Sequence, residues 1–242
     1  MLGGRSMKTT VTRVPLRLAN SHLVRGKKTI IVDTGDPGFS HGLYRAMQRE
    51  GINRSDISLI FITHGHIDHY GSVFALKKAL DVPVAVHRLD QIYLEKGTQA
   101  PLYPLNRPAA LLKRVGQGMR VRHNNFKADI IVDDHLDLLR FGVEGFILPT
   151  PGHTLGSASL ILPDSCAITG DLIIRRHFFR GPAEACVFLH DKEKYHNSVN
   201  LLKLCGVKKI YPGHGASIDM EPVYAREERI RRRSTQTKYD QR

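Results

Sequence analysis

The sequence has few cysteines, no long apolar run and, over two long stretches, no acidic residue. Cys166, Cys186 and Cys205 are odd in number, far apart and never arranged as CxxC. That spacing excludes a disulfide framework and a cysteine zinc knuckle. It reads as a reducing compartment, with each thiol packed in the core as a small apolar residue. No stretch approaches eighteen consecutive apolar residues and no secretory h-region is present, so a membrane partner is not expected. No internal repeat or low-complexity linker divides the 242 residues, and a hydrophobic content of 41% is enough for a core, which excludes general disorder. Acidic residues are missing before Asp33 and from residues 96–128, and the formal net charge is +13. Taken alone, that charge suggests a nucleic acid, a membrane surface or an anionic small molecule as partner.

What is present alternates between strand and helix patterns. Residues 1–6 read as a leader or appended scar, with Met7 as the start. The lack of acid before Asp33 raises a mitochondrial presequence, but residues 11–24 already read as strand and run into a buried strand at 29–33. The cytoplasm is therefore the expected location. Helical spacing covers 42–50 and 73–80, and apolar runs at 57–62 and 82–86 read as strands. Residues 96–128 change texture, rich in Pro, Asn, Lys and Arg with a helical piece at 109–115, and read as an insertion over the core. Strand signals return at 130–132, 145–148, 158–162, 166–169 and 207–211, with helices at 192–204 and 226–233. One mixed α/β domain over residues 7–225, followed by a basic tail at 226–242, accounts for this order.

The chemistry concentrates in Thr63-His64-Gly65-His66-Ile67-Asp68-His69, between a strand and a helix. Four metal-ligand side chains fall within six positions, and imidazole and carboxylate suit a borderline cation such as zinc. Gly65 is expected to let the backbone turn so that His64 and His66 converge. Three further turns each put a ligand-type residue beside glycine just past a strand: His153 in Thr150-Pro-Gly-His153, Asp171 in Gly170-Asp171, and His214 in Pro212-Gly-His214-Gly215. Loops at one end of a sheet are where α/β folds gather ligands. Together they supply five histidines and two aspartates for one site. His41, His87 and His196 stand outside these motifs and read as surface or packing residues.

This ordered set, with the early Val32-Asp33-Thr34-Gly35 turn, resembles the metallo-β-lactamase superfamily over residues 14–218. The resemblance implies an αββα sandwich of two mixed β-sheets with outer helices and a dinuclear centre at one edge. It implies that His64, His66 and His153 bind one metal, that Asp68, His69 and His214 bind the other, and that Asp171 bridges them. Asp33 is implied to support the ligand loops. Two zinc ions, with iron or manganese as alternatives, would lower the pKa of a shared water, and Asp68 would orient it or accept its proton.

The resemblance is closer to glyoxalase II-like thioesterases and generic hydrolases than to β-lactamases, which lack the bridging aspartate. The expected reaction is therefore hydrolysis of a small ester, thioester or lactone. Arg180 stands where glyoxalase II carries a basic substrate-binding residue, although its His177-Phe178-Phe179 context differs. Acyl-homoserine lactonases often carry a tyrosine where this chain has Ile174. The alternatives are a mononuclear-iron persulfide dioxygenase, and β-lactamase-like or nucleic-acid phosphodiesterase activity on the same fold. Charge placement weighs on the last of these. Residues 1–32 and 96–128 each hold seven Lys/Arg and no acid, and residues 226–242 hold seven against three. The rest of the chain, which carries the motifs, is mildly acidic. Nucleic acid is accordingly the lesser expectation. The cations of the insertion, Arg120 and Arg122 among them, are expected to attract an anionic small molecule. Oligomeric state is not readable from the sequence.

Overall fold

The computed structural model describes residues 9–116, 126–175 and 183–240. Its first sheet runs in chain order: β1 (Thr10–Pro15), β2 (Asn20–Arg25), β3 (Thr29–Val32), β4 (Ile57–Ile62), β5 (Val84–His87) and β6 (Ile130–Val132). β1, β2 and β3 pair antiparallel, whereas β3 to β6 pair parallel. The parallel half is joined by crossovers containing α1 (Ser40–Arg49), α2 (Ile67–Tyr70), α3 (Val73–Leu80), α4 (Arg88–Lys96) and α5 (Arg107–Gly116).

The second sheet contains β7 (Leu136–Asp137), β8 (Phe146–Pro149), β9 (Ala158–Leu162) and β10 (Cys166–Gly170). A separate hairpin, β11 (Ile173–Arg175) with β12 (Ala183–Ala185), follows, and then α6 (Lys192–Leu204). The sheet is completed by β13 (Lys209–Pro212) and β14 (Ile218–Asp219), giving the order β14-β13-β10-β9-β8-β7. Only β10 and β13 pair parallel in it. The last helix, α7 (Glu221–Asp240), crosses position 226 without a break, and its Arg226 donates to the Ala183 carbonyl at 2.8 Å.

Period-two alternation builds four layers. In β4, Leu59 and Phe61 face the second sheet, where they meet Ile147, Leu160 and Ile168. Ile60 and Ile62 face the opposite way, onto Leu43, Met47, Leu76 and Leu80 of α1 and α3. In the second sheet, Ile161, Ala167 and Ile210 pack outward against Val199, Leu202 and Val223 of α6 and α7. Strands covered on both faces read as continuous apolar runs, which is why β4 shows no polar alternation in sequence. Two mixed sheets packed face to face with helices outside is the architecture that the family resemblance implied.

Two strands start two residues later than expected. The strand expected from Val82 begins at Val84, since Pro83 has no N–H to give the ladder. The strand expected from Val207 begins at Lys209, because the Val207 N–H closes α6 by donating to Leu202. Nor are all three thiols fully buried: Cys186 is buried, while Cys166 at the start of β10 and Cys205 just after α6 are half-buried against the core. Among the described residues, no helix is long and apolar enough to cross a membrane.

A candidate metal centre

Parallel strands end at the same edge, and the motif residues sit there. Asp33 follows β3, His64 and His66 follow β4, Asp171 follows β10 and His214 follows β13. His153 enters from the loop between β8 and β9, while Asp68 and His69 occupy α2. The structure thus brings all seven expected residues to one place, and Asp33 with them. Arg180 lies outside the described residues, as do Arg120 and Arg122.

Each histidine has one ring nitrogen tied back, which fixes what the other can do. His66 Nε2 donates to the Ala100 carbonyl (3.2 Å), His153 Nδ1 to Phe188 O (2.8 Å) and His214 Nδ1 to Leu18 O (2.9 Å). Thr63 Oγ1 donates to Asp33 Oδ2, so it accepts from His64 Nδ1 at 3.0 Å. His69 Nδ1 lies 2.7 Å from Asp33 Oδ2. A neutral imidazole that donates from one nitrogen presents a bare lone pair at the other. His64 Nε2 and His153 Nε2 therefore face His66 Nδ1 at 3.1 and 2.9 Å with no hydrogen between them. Three converging lone pairs repel one another unless a cation sits among them.

The second group is oppositely charged. His214 Nε2 lies 3.1 Å from Asp171 Oδ2 and 3.4 Å from Asp68 Oδ2. His69 Nε2 is 3.5 Å from Asp171 Oδ1, and both atoms are buried without a hydrogen-bond partner. Asp171 also comes within 3.9 Å of His153 Nε2, so its carboxylate faces both groups. Orphaned buried polar atoms are rare in folded chains and point to an absent partner. The sets His64–His66–His153 and Asp68–His69–His214 each gather ligand atoms close enough to hold one metal ion. The donor chemistry, nitrogen with carboxylate oxygen, fits zinc or iron.

Protonation follows the same division. Burial lowers His66 to about 3 and pushes His64 and His153 down as well, so the three-histidine group is neutral and open to a cation. At His69 burial acts downward too, but Asp33, Asp171 and Asp68 outweigh it and raise the ring to about 9. Asp171 and Asp68 likewise raise His214 against its burial. Protons on His69 and His214 balance the carboxylates of Asp68 and Asp171.

Stability of the metal-free protein should therefore have two pH limbs. His66, together with the buried and unpaired His22 that burial and Arg13 also lower to about 3, must take up protons on unfolding below about pH 6.5. Stability falls as pH drops through that window. The contributions of His69 and His214 are complete below their unfolded value of 6.5 and, for His69, fade as pH rises through about 9. Denaturant midpoints of chelator-treated protein are expected to peak near pH 6.5. A midpoint unchanged between about pH 5 and 9 would contradict this account.

Sequence reasoning missed several supports. The carbonyls of Leu18, Ala100 and Phe188 leave no trace in residue type. Cys186, read only as core, places Sγ 3.9 Å from Asp171 Oδ2. The expected role of Gly65 is also revised, since its backbone is not left-handed. A Cβ there would sit 2.7 Å from the Tyr93 ring, so glycine is needed for close approach to α4. Gly213 is crowded for a related reason, since a Cβ would fall 2.3 Å from Asp171 Oδ1 and 2.5 Å from His69.

Comparison with known proteins agrees with this geometry. The family model for the metallo-β-lactamase superfamily matches residues 14–214. A probable metallo-hydrolase of Methanocaldococcus jannaschii is 31% identical over 202 residues, covering 81% of this chain and 87% of that one. Among solved structures, the BLEG-1 B3 metallo-β-lactamase superposes with a TM-score of 0.63 at 21% identity, over 87% of this chain and 94% of its own. TTHA1623 in a di-iron-bound form gives 0.59 at 24% identity, over 89% and 95%. These two share the fold. The chain belongs to the metallo-β-lactamase superfamily of metal-dependent hydrolases.

Proposed function

We propose that the protein holds two zinc ions and hydrolyses a small ester, thioester or lactone. The observation that carries this reading is the convergence of three bare imidazole nitrogens beside a carboxylate, Asp171, that faces both ligand groups. His64, His66 and His153 would hold one ion, Asp68, His69 and His214 the other, with Asp171 shared. When bound, such a pair supplies Lewis acidity and a water that ionises near neutral pH.

The remaining work falls to the chain. Asp68 is the most exposed of its group, with its side chain 24% exposed against 11% for His214 and 0% for His69. It is the carboxylate that an incoming substrate and its water can reach, and it accepts the proton of the attacking water. Asp33 holds His69 by Nδ1 and keeps Nε2 turned inward. Thr63 does the same for His64 through its hydroxyl. The insertion contributes the Ala100 carbonyl to His66 and pairs with the segment that supports His153, through Leu105 N to Val187 O and Leu189 N to Tyr103 O, both 2.9 Å. The Lys and Arg residues of 96–128 are the part of the chain proposed to attract an anionic substrate. The three free thiols support a cytoplasmic location.

Metal quantification joined to a substrate panel tests this. About two zinc per chain, loss of turnover on chelation and recovery on zinc addition are expected, with thioesters or lactones outpacing β-lactams and phosphodiesters. Pairing anionic with neutral esters in the panel reads the proposed rim. Iron is the alternative metal, since the similarly folded TTHA1623 holds two iron ions. One iron per chain with oxygen uptake on a persulfide would overturn the hydrolytic reading.

A further inference from the structure

Asp90 lies in the first turn of α4, 1% exposed, directly beneath the ligand loops. Its Oδ2 accepts the Gly65 N–H at 2.7 Å and the Thr154 hydroxyl at 2.7 Å, and its Oδ1 accepts the Gly156 N–H at 3.0 Å. Gly65 stands between His64 and His66, and Thr154 and Gly156 follow His153. One carboxylate therefore ties together the two loops that carry the three converging nitrogens. The contact is close: a Cβ on Gly156 would fall 2.4 Å from Asp90 Oδ1. Ser157 Oγ closes the second loop, lying 2.8 Å from the Thr154 hydroxyl and accepting the Thr154 N–H at 3.0 Å. An apolar residue at position 90 would leave the Gly65 and Gly156 N–H groups buried and unpaired, so the loops would have to move apart to reach water.

We infer that Asp90 is a positioning residue for the three-histidine half of the centre, fixing the separation of the His64–His66 loop from the His153 loop. The inference rests on the ligand assignment proposed above. Asp90 belongs to neither candidate ligand group, and its side chain meets backbone and hydroxyl donors of the two loops. Groups that orient metal ligands typically govern affinity by 10- to 100-fold, roughly.

The test is zinc titration of the full-length apoprotein against a chromophoric chelator, in two backgrounds that each keep one half of the centre. With His214→Ala, the remaining zinc is held by the three histidines, and adding Asp90→Asn should weaken it by about 10- to 100-fold. With His153→Ala, the remaining zinc is held by the other half, and Asp90→Asn should change its affinity by less than about threefold. A purely structural role would weaken both backgrounds alike, and that result, or no effect in either, overturns the inference. Should Asp90→Asn fail to fold, Thr154→Val removes one donor and keeps the carboxylate. A selective loss of about fivefold is then expected; no selective loss overturns the inference. Wild-type protein that takes up no zinc would overturn the metal-centre reading itself, whatever Asp90 does.

Discussion

Asp68→Ala is expected to lower kcat by about 10³-fold or more while leaving the circular dichroism of the protein unchanged. Asp68 lies in the short helix α2, and its side chain meets His69 and His214 at 3.8 and 3.4 Å. Burial pushes its carboxyl up, but His69 and His214 outweigh this and hold it well below the usual carboxylate range. It is thus ionised at neutral pH. Removing it leaves His214 beside Asp171 and His69 beside Asp33, so the fold keeps its buried pairs. Asp68→Asn separates ligation from proton transfer, because its amide oxygen can still face a metal but cannot accept the proton. It should retain most of the metal and still lose at least about 10²-fold in rate. His66→Ala, which removes one of the three converging nitrogens, should be equally inactive. Full activity in Asp68→Ala or His66→Ala would refute the site.

Asp33→Ala is expected to be the most damaging change to stability, by about 3–5 kcal/mol. Its carboxylate accepts the Thr63 N–H and hydroxyl at 2.8 Å each and pairs with His69 Nδ1 at 2.7 Å. All three residues involved are buried. Alanine would leave three donors without an acceptor, one of them on a ring that burial alone cannot keep charged. It would also have to occupy a left-handed backbone, φ +58°, which aspartate tolerates better than alanine. Denaturant unfolding of the metal-free protein, read at constant m, measures the loss. Asp33→Asn should destabilise less, yet its amide nitrogen would face His69 Nδ1 and move the ring proton to Nε2, closing the ligand atom. A loss below about 1 kcal/mol in Asp33→Ala would show that the buried pair is dispensable.

The site was more legible than the walls around it. A metal ligand must be one of a few residue types, and a strand end with glycine is a recognisable address, so the candidates His64, His66, Asp68, His69, His153, Asp171 and His214, which the structure brings to one place, could be collected from motifs alone. The helix α4 could not. Its buried face carries Asp90, Gln91 and Leu94, while Leu89 and Ile92 point to solvent, 53% and 39% exposed. Hydrophobic periodicity finds helices that bury apolar faces, and this one buries acceptors for the backbone above it. The short strands β7 and β14, two residues each, carry too few positions for a period-two pattern.

The scarcity of acid is confined to particular stretches of the chain. The sequence by itself determined that the positive charge sits in residues 1–32, 96–128 and 226–242, and that the remainder, which carries the motifs, is mildly acidic. It also determined the alternation of strand and helix, since burial on one or both faces imposes its period on residue type. Only the tertiary structure decided which nitrogen of each imidazole faces inward, because that depends on carbonyls at Leu18, Ala100 and Phe188 that are distant in the chain. It alone placed Asp33 under His69 and Asp90 under two loops. Hydrogen bonds to backbone groups carry no sequence signature, since every residue offers the same carbonyl and nearly every one the same N–H.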